Sequence, residues 1–92
     1  MHTEREIISF LEEQISELLG KKVDWRFSKW LEYHLKIRLL EFFDEDDIGS
    51  IEIERTDLDR YSCHFNRYIQ SKSLFVIVVE QTDSGRFVKR FY

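Results

Sequence analysis

Apolar residues recur at helical spacing up to Asp44 and alternate, or run together, after Gly49. In the first half, Ile7, Ile8, Leu11, Ile15, Leu18 and Leu19 fall on one arc of a helical wheel, which predicts an amphipathic helix. Thr3, followed three residues later by Glu6, reads as its capping box, and Gly20 with Lys21 and Lys22 as its stop. A second helix is predicted from a cap at Asp24 to about Phe43, and it carries two apolar stripes. Leu31, Leu35, Leu39 and Phe42 form one, and Trp30, Tyr33, Ile37 and Leu40 form the other, nearly opposite. A helix apolar on two sides is normally covered on both. One stripe is therefore expected to meet a sheet, and the other to meet the first helix or another copy of the chain.

The second half reads as strands. Ser50–Thr56 alternates Ile51 and Ile53 with Glu52 and Glu54, and Tyr61–Ile69 alternates with Arg67 breaking its apolar face. Leu74–Val79 is a continuous, mostly β-branched run suited to a central strand. Thr82-Asp83-Ser84-Gly85 marks a hairpin whose returning strand is Arg86–Tyr92, and Asp57–Arg60 and Gln70–Ser73 are expected as the other turns. The predicted architecture is α+β, a helical hairpin on one face of a four-stranded antiparallel meander (ααββββ). Leu58, Tyr61, Phe65, Tyr68 and Ile69 also fit helical spacing, and the alternative reading of residues 57–71 as helix gives ααβαββ.

Length and composition restrict the picture further. Ninety-two residues make one domain with one modest core. The chain has no proline and three glycines, so its turns are short and it contains no linker. Eight Phe, four Tyr and two Trp exceed the needs of a two-layer core this size, which leaves aromatics for an interface. A single cysteine, Cys63, forms no internal disulfide and fits a reducing compartment. No apolar run reaches membrane-spanning length and the first residues lack a basic–apolar leader, so a cytoplasmic location without membrane contact is expected.

Charge supplies the candidate chemistry. The formal net charge of −4 is concentrated in the helical half. Residues 1–48 hold 7 basic and 12 acidic side chains, against 7 and 6 in residues 49–92. Glu6, Glu13 and Glu17 line one side of the first helix, and Asp44-Glu45-Asp46-Asp47 follows the second, where the helix dipole disfavours anions. Either group can be a solvated surface or a docking patch for a basic partner. Trp30 and Tyr33 belong to residue types enriched in interface anchors, so their stripe is a bed for helix 1 or a homodimer or partner interface.

Cys63-His64 does not read as a catalytic pair, because neighbours on a strand point to opposite faces. The His and Cys spacing matches no zinc site, and no cofactor motif is present. A basic and aromatic set, His64, Asn66, Arg67, Tyr68, Arg86, Lys89 and Arg90, supports an alternative reading as an RNA- or ssDNA-binding, or nuclease-like, sheet face. The leading expectation is a small acidic, non-enzymatic module, of the inhibitor, immunity, antitoxin-like or phage regulatory kind, that occludes a protein partner with a basic surface. A structural subunit of a homo-oligomer is the third reading.

Overall fold

The computed structural model describes residues 3–67 and 70–92. Two helices, α1 (Glu4–Ser16) and α2 (Phe27–Phe42), and a single helical turn, α3 (Glu45–Ile48), precede strands β1 (Ser50–Asp57), β2 (Arg60–Arg67), β3 (Gln70–Thr82) and β4 (Gly85–Phe91). The strands pair antiparallel in the order β1-β2-β3-β4, the predicted meander. The helical alternative for residues 57–71 is not adopted. Tyr61, Cys63 and Phe65 are all buried, a period of two that only a strand satisfies, while Leu58 stays exposed in a two-residue turn. The part of that reading resting on Tyr68 and Ile69 lies outside the described residues.

Local signals explain most boundaries. The Thr3 hydroxyl accepts from the Glu6 N–H at 3.2 Å and opens α1. Regular α-helix ends at Ser16, earlier than expected. Glu17–Gly20 continues as turns, with Gly20 at φ +84°. The chain then pairs with β4: Gly20 N–H donates to the Val88 carbonyl, Val88 N–H to Lys21, and Val23 N–H to Arg86, all at 2.8–2.9 Å. Asp24 does not cap α2 directly. Its carboxylate accepts from the Arg26 N–H at 2.9 Å, and hydrogen bonds from the Arg26 backbone and side chain hold its pKa below the ordinary value. The helix starts at Phe27 instead.

The acidic run behaves differently from the expected terminator. Phe43 turns extended at φ −130°, and the run then opens α3, where carboxylates meet the favourable end of a helical turn. This turn buries Ile48 in the core. The expected turn at Gln70–Ser73 is also displaced: Arg67 pairs with Gln70, and Gln70–Ser73 are already strand. The polar residues there satisfy a turn pattern, but the long β3 uses them as ladder against β2.

The helices cover one face of the sheet. Leu31, Leu35 and Leu39 of α2 and Ile7, Leu11 and Ile15 of α1 are fully buried against Ile53, Tyr61, Cys63, Phe65, Ile77, Val79 and Val88. Each such side chain contributes about 1.5–3 kcal/mol relative to exposure. α2 lies over β1, and the Glu32 carboxylate accepts from the Ile53 N–H at 2.8 Å on that edge strand. Glu32 thus holds one donor on the β1 edge, and the Gly20–Val23 segment pairs along part of the β4 edge.

The second stripe of α2 is not covered. Helix α1 packs beside α2, with the Phe10 ring 5.2 Å from Phe42 and Gln14 accepting from Arg38 at 3.3 Å. Trp30, Tyr33, Ile37 and Leu40 keep exposures of 37–68%, against 0% for Leu31, Leu35 and Leu39. The expectation that α1 beds on this stripe is overturned. The sheet already claims the opposite face of α2, and α1 reaches the core only by lying alongside. Phe42, assigned to the inner stripe, is likewise 55% exposed, because the helix end overhangs the core.

Gly49 joins α3 to β1 at φ +59°, and a Cβ there would collide with the Asn66 carbonyl on the paired strand. Gly49→Ala is expected to destabilise the domain by about 2 kcal/mol or more, read by urea denaturation. An unchanged midpoint would contradict this packing.

Candidate functional site

A groove between α1 and α2 is the largest concave surface among those described, about 970 Å³ and open to solvent. Its floor is aromatic: Phe10 stands edge-on to Phe43 with centroids 5.5 Å apart and tilted against Phe42. Glu6, Glu13 and Glu17 line the α1 side together with Arg5 and Gln14, and Arg38 lines the α2 side. Helical period explains the arrangement. Glu6, Phe10, Glu13 and Glu17 follow spacings of four, three and four, so the glutamate stripe and Phe10 share the flank of α1 that faces α2. Arg38 is held in place by Gln14, by an ion pair with Glu41 and by the Phe42 ring, 5.6 Å from its guanidinium carbon. The groove therefore combines an aromatic floor with a rim of three glutamates and two arginines.

The acidic run does not join this groove. Asp44, Glu45 and Asp46 are exposed beyond the C-terminal end of α2, while Asp47 is buried and its carboxylate lies 3.6 Å from the Arg67 guanidinium. Asp47 is thus a structural residue tying α3 to β2, and so is Arg67. The expected anionic surface divides into the α1 stripe and three exposed carboxylates at the end of α2. Trp30 and Tyr33 lie on the outer stripe of α2, away from the groove floor. Lys21 Nζ sits 4.3 Å from the Trp30 ring centroid, and the His34 ring stacks on it at 4.8 Å.

The basic set proposed for nucleic acid is dispersed. Arg67 faces α3, and Arg86 donates to the Leu58 carbonyl in the β1–β2 turn. His64, Asn66 and Arg90 remain on the sheet face turned away from the helices, and Lys89, the extra residue of a β-bulge, reaches Glu80 at 4.0 Å. Asn66 donates to the Ser50 hydroxyl at 3.3 Å. Glu52, Glu54 and Glu80 share that face, so it is mixed in charge. Arg60 and Arg90 flank Val78 across the sheet, and their stems help bury it. Tyr68 lies outside the described residues.

Cys63 and His64 point to opposite faces. His64 Nε2 lies 3.3 Å from Glu54 Oε2, at ion-pair distance but outside hydrogen-bond geometry. Cys63 is fully buried, and burial, with a smaller contribution from the Glu32 charge, pushes its thiol up to about 12. Among the described residues no three His, Cys, Asp or Glu side chains come together as metal ligands. No helix among them is long and apolar enough to cross a membrane.

Sequence reasoning identified the glutamate stripe but missed the aromatic floor opposite it. Phe10 falls at the margin of the α1 apolar arc, a weak signal, and its partners Phe42 and Phe43 lie on another helix and its cap.

The buried thiol has a measurable consequence. The fold holds Cys63 protonated above the ordinary thiol value of 9.0. Between there and about 12 the unfolded chain releases a proton that the native state retains, so stability falls as pH rises. Cys63→Ala is expected to flatten this alkaline slope in urea titrations. Native protein at pH 8 is expected to resist iodoacetamide while the urea-unfolded chain is alkylated; rapid native labelling would contradict the burial. Comparison with protein-family models, with curated proteins and with solved structures yields no match.

Proposed function

We propose that this domain is a non-enzymatic protein-binding module that captures a basic, amphipathic partner segment in the α1–α2 groove and acts by occluding it. The juxtaposition of Glu6, Glu13 and Glu17 with the Phe10, Phe42 and Phe43 floor carries this reading. The carboxylates steer a cationic partner and fix its register, while the aromatic floor supplies the desolvated anchor. An inhibitor, immunity or antitoxin-like role, or a phage regulatory one, is consistent with this mode of action. It requires no reaction and no cofactor. The nucleic-acid reading loses support because Arg67 and Arg86 are engaged in holding the fold, and the remaining cations share their face with carboxylates.

The test uses a fluorescently labelled amphipathic helical peptide with Leu and Phe on one face flanked by Lys and Arg. Anisotropy is expected to report binding that weakens with salt. Replacing all three groove glutamates with lysine is expected to weaken it about tenfold or more, since three rim charges contribute roughly 0.5 kcal/mol each. Equal binding of a peptide with Glu in place of Lys and Arg, or retention of affinity by a folded triple variant, would overturn the assignment.

A further inference from the structure

The uncovered stripe of α2 carries a second inference, independent of the groove. Both ends of α2 bear the charge that its own dipole disfavours. Arg26 and Lys29 stand at the N-terminal end, paired with Asp24 and Glu32 respectively, and Lys21 and Lys22 beside Trp30 and Arg26 leave this end with an excess of cations. At the C-terminal end Glu41 is paired with Arg38, and the exposed Asp44, Glu45 and Asp46 follow with no basic residue in the last turn. The excess anions at the C-terminal end are unfavourable to the helix dipole, and the N-terminal end carries the opposite excess. A second α2 running antiparallel brings each cationic end against the anionic end of its neighbour and opposes the two dipoles.

The apolar row has matching symmetry. Trp30, Tyr33, Ile37 and Leu40 follow spacings of three, four and three, so the row reads the same about its midpoint in both directions. A two-fold axis there places Trp30 opposite Leu40 of the second copy, and Tyr33 opposite Ile37, each pairing an aromatic with an aliphatic side chain. The contact repeats by symmetry and closes on two molecules. Parallel pairing would set cationic ends together and anionic ends together. Strand addition is hindered at both sheet edges, by Glu32 at one donor of β1 and by the Gly20–Val23 segment along part of β4. Trp30 is held between Lys21 and His34, a fixed anchor at each end of the row.

The geometry points to a homodimer in which the outer faces of two α2 helices pack antiparallel about a two-fold axis midway between Tyr33 and Ile37. The row extends about 15 Å along the helix, short for a permanent interface, so the dimer is reversible and concentration-dependent. The α1–α2 groove lies on another flank and stays open in each copy, which makes the assembly bivalent for the groove's partner.

Sedimentation velocity over micromolar to millimolar concentrations is expected to show the mass rising from 11.3 kDa towards twice that value. Tyr33→Glu and Ile37→Arg, both at exposed positions, are expected to weaken dimerisation at least tenfold with unchanged circular dichroism. Should either perturb folding, Arg26→Glu with Lys29→Glu serves instead, and adding Glu41→Lys, Asp44→Lys and Asp46→Lys to it is expected to restore dimerisation. Orientation is read by cysteine cross-linking under mild oxidation, where buried Cys63 is shielded. A mixture of Trp30→Cys and Leu40→Cys chains is expected to cross-link, and Trp30→Cys chains alone are not. A monomer at every concentration, a dimer indifferent to these folded variants, or efficient Trp30→Cys self-cross-linking would overturn the proposal. The groove variant with three lysines is expected to dimerise like the wild type, so failure of one assignment leaves the other standing.

Discussion

The structure depends on the burial of a single leucine row. Leu31, Leu35 and Leu39 lie on one face of α2 and are closed off completely against the sheet, and Glu32, beside them, binds the Ile53 N–H of the edge strand. The row gives the layer its hydrophobic free energy. The Glu32 contact sets where along β1 the helix sits and removes an unpaired donor from the sheet edge. Once α2 is seated this way, α1 can complete the core only from the side. That position generates both surface features with functional meaning: the groove along the α1–α2 seam and the bare stripe on the outer face of α2.

The charges sort by the same geometry. Asp47 and Arg67 are drawn together to hold α3 on β2, and Arg86 reaches the Leu58 carbonyl to brace two hairpin ends. These interactions consume cations and an anion that composition alone would leave as surface. Glu6, Glu13 and Glu17 line the groove beside Arg5 and Arg38, and the two ends of α2 differ in the sign of their excess charge. A weakly acidic protein thereby presents two local patterns of different kinds. One is the surface proposed for a cationic segment, and the other is the surface proposed for self-association.

Partly occupied sheet edges bear on where association can occur. A four-stranded meander has two open ladders, and each is a template for intermolecular pairing unless blocked. Here Glu32 holds one donor of β1, and the Gly20–Val23 segment pairs with β4. Most of the exposed large apolar side chains lie on the helical layer instead. That is where the aromatic residues in excess of the core are found: Phe10 and Phe42 in the groove, Trp30 and Tyr33 on the outer stripe.

The order of helices and strands was legible in the sequence because it rests on short-range periodicity. Ile7, Leu11 and Ile15 recur every four residues, Tyr61, Cys63 and Phe65 every two, and Thr3 and the Thr82–Gly85 turn act on neighbours a few residues away. The opposed stripes of α2 and the glutamates of α1 were legible for the same reason. What the sequence left open was which stripe goes inside, since both are apolar and a helical wheel has no reference direction. Packing against the sheet chose the leucines, whose shape closes without leaving a polar atom buried, and left Trp30 and Tyr33 with their polar edges near water. The role of Asp47, the start of β3 at Gln70 and the aromatic floor of the groove likewise came only with tertiary contacts. Each depends on residues brought together from distant positions or on a strand pairing that local turn signals do not contain.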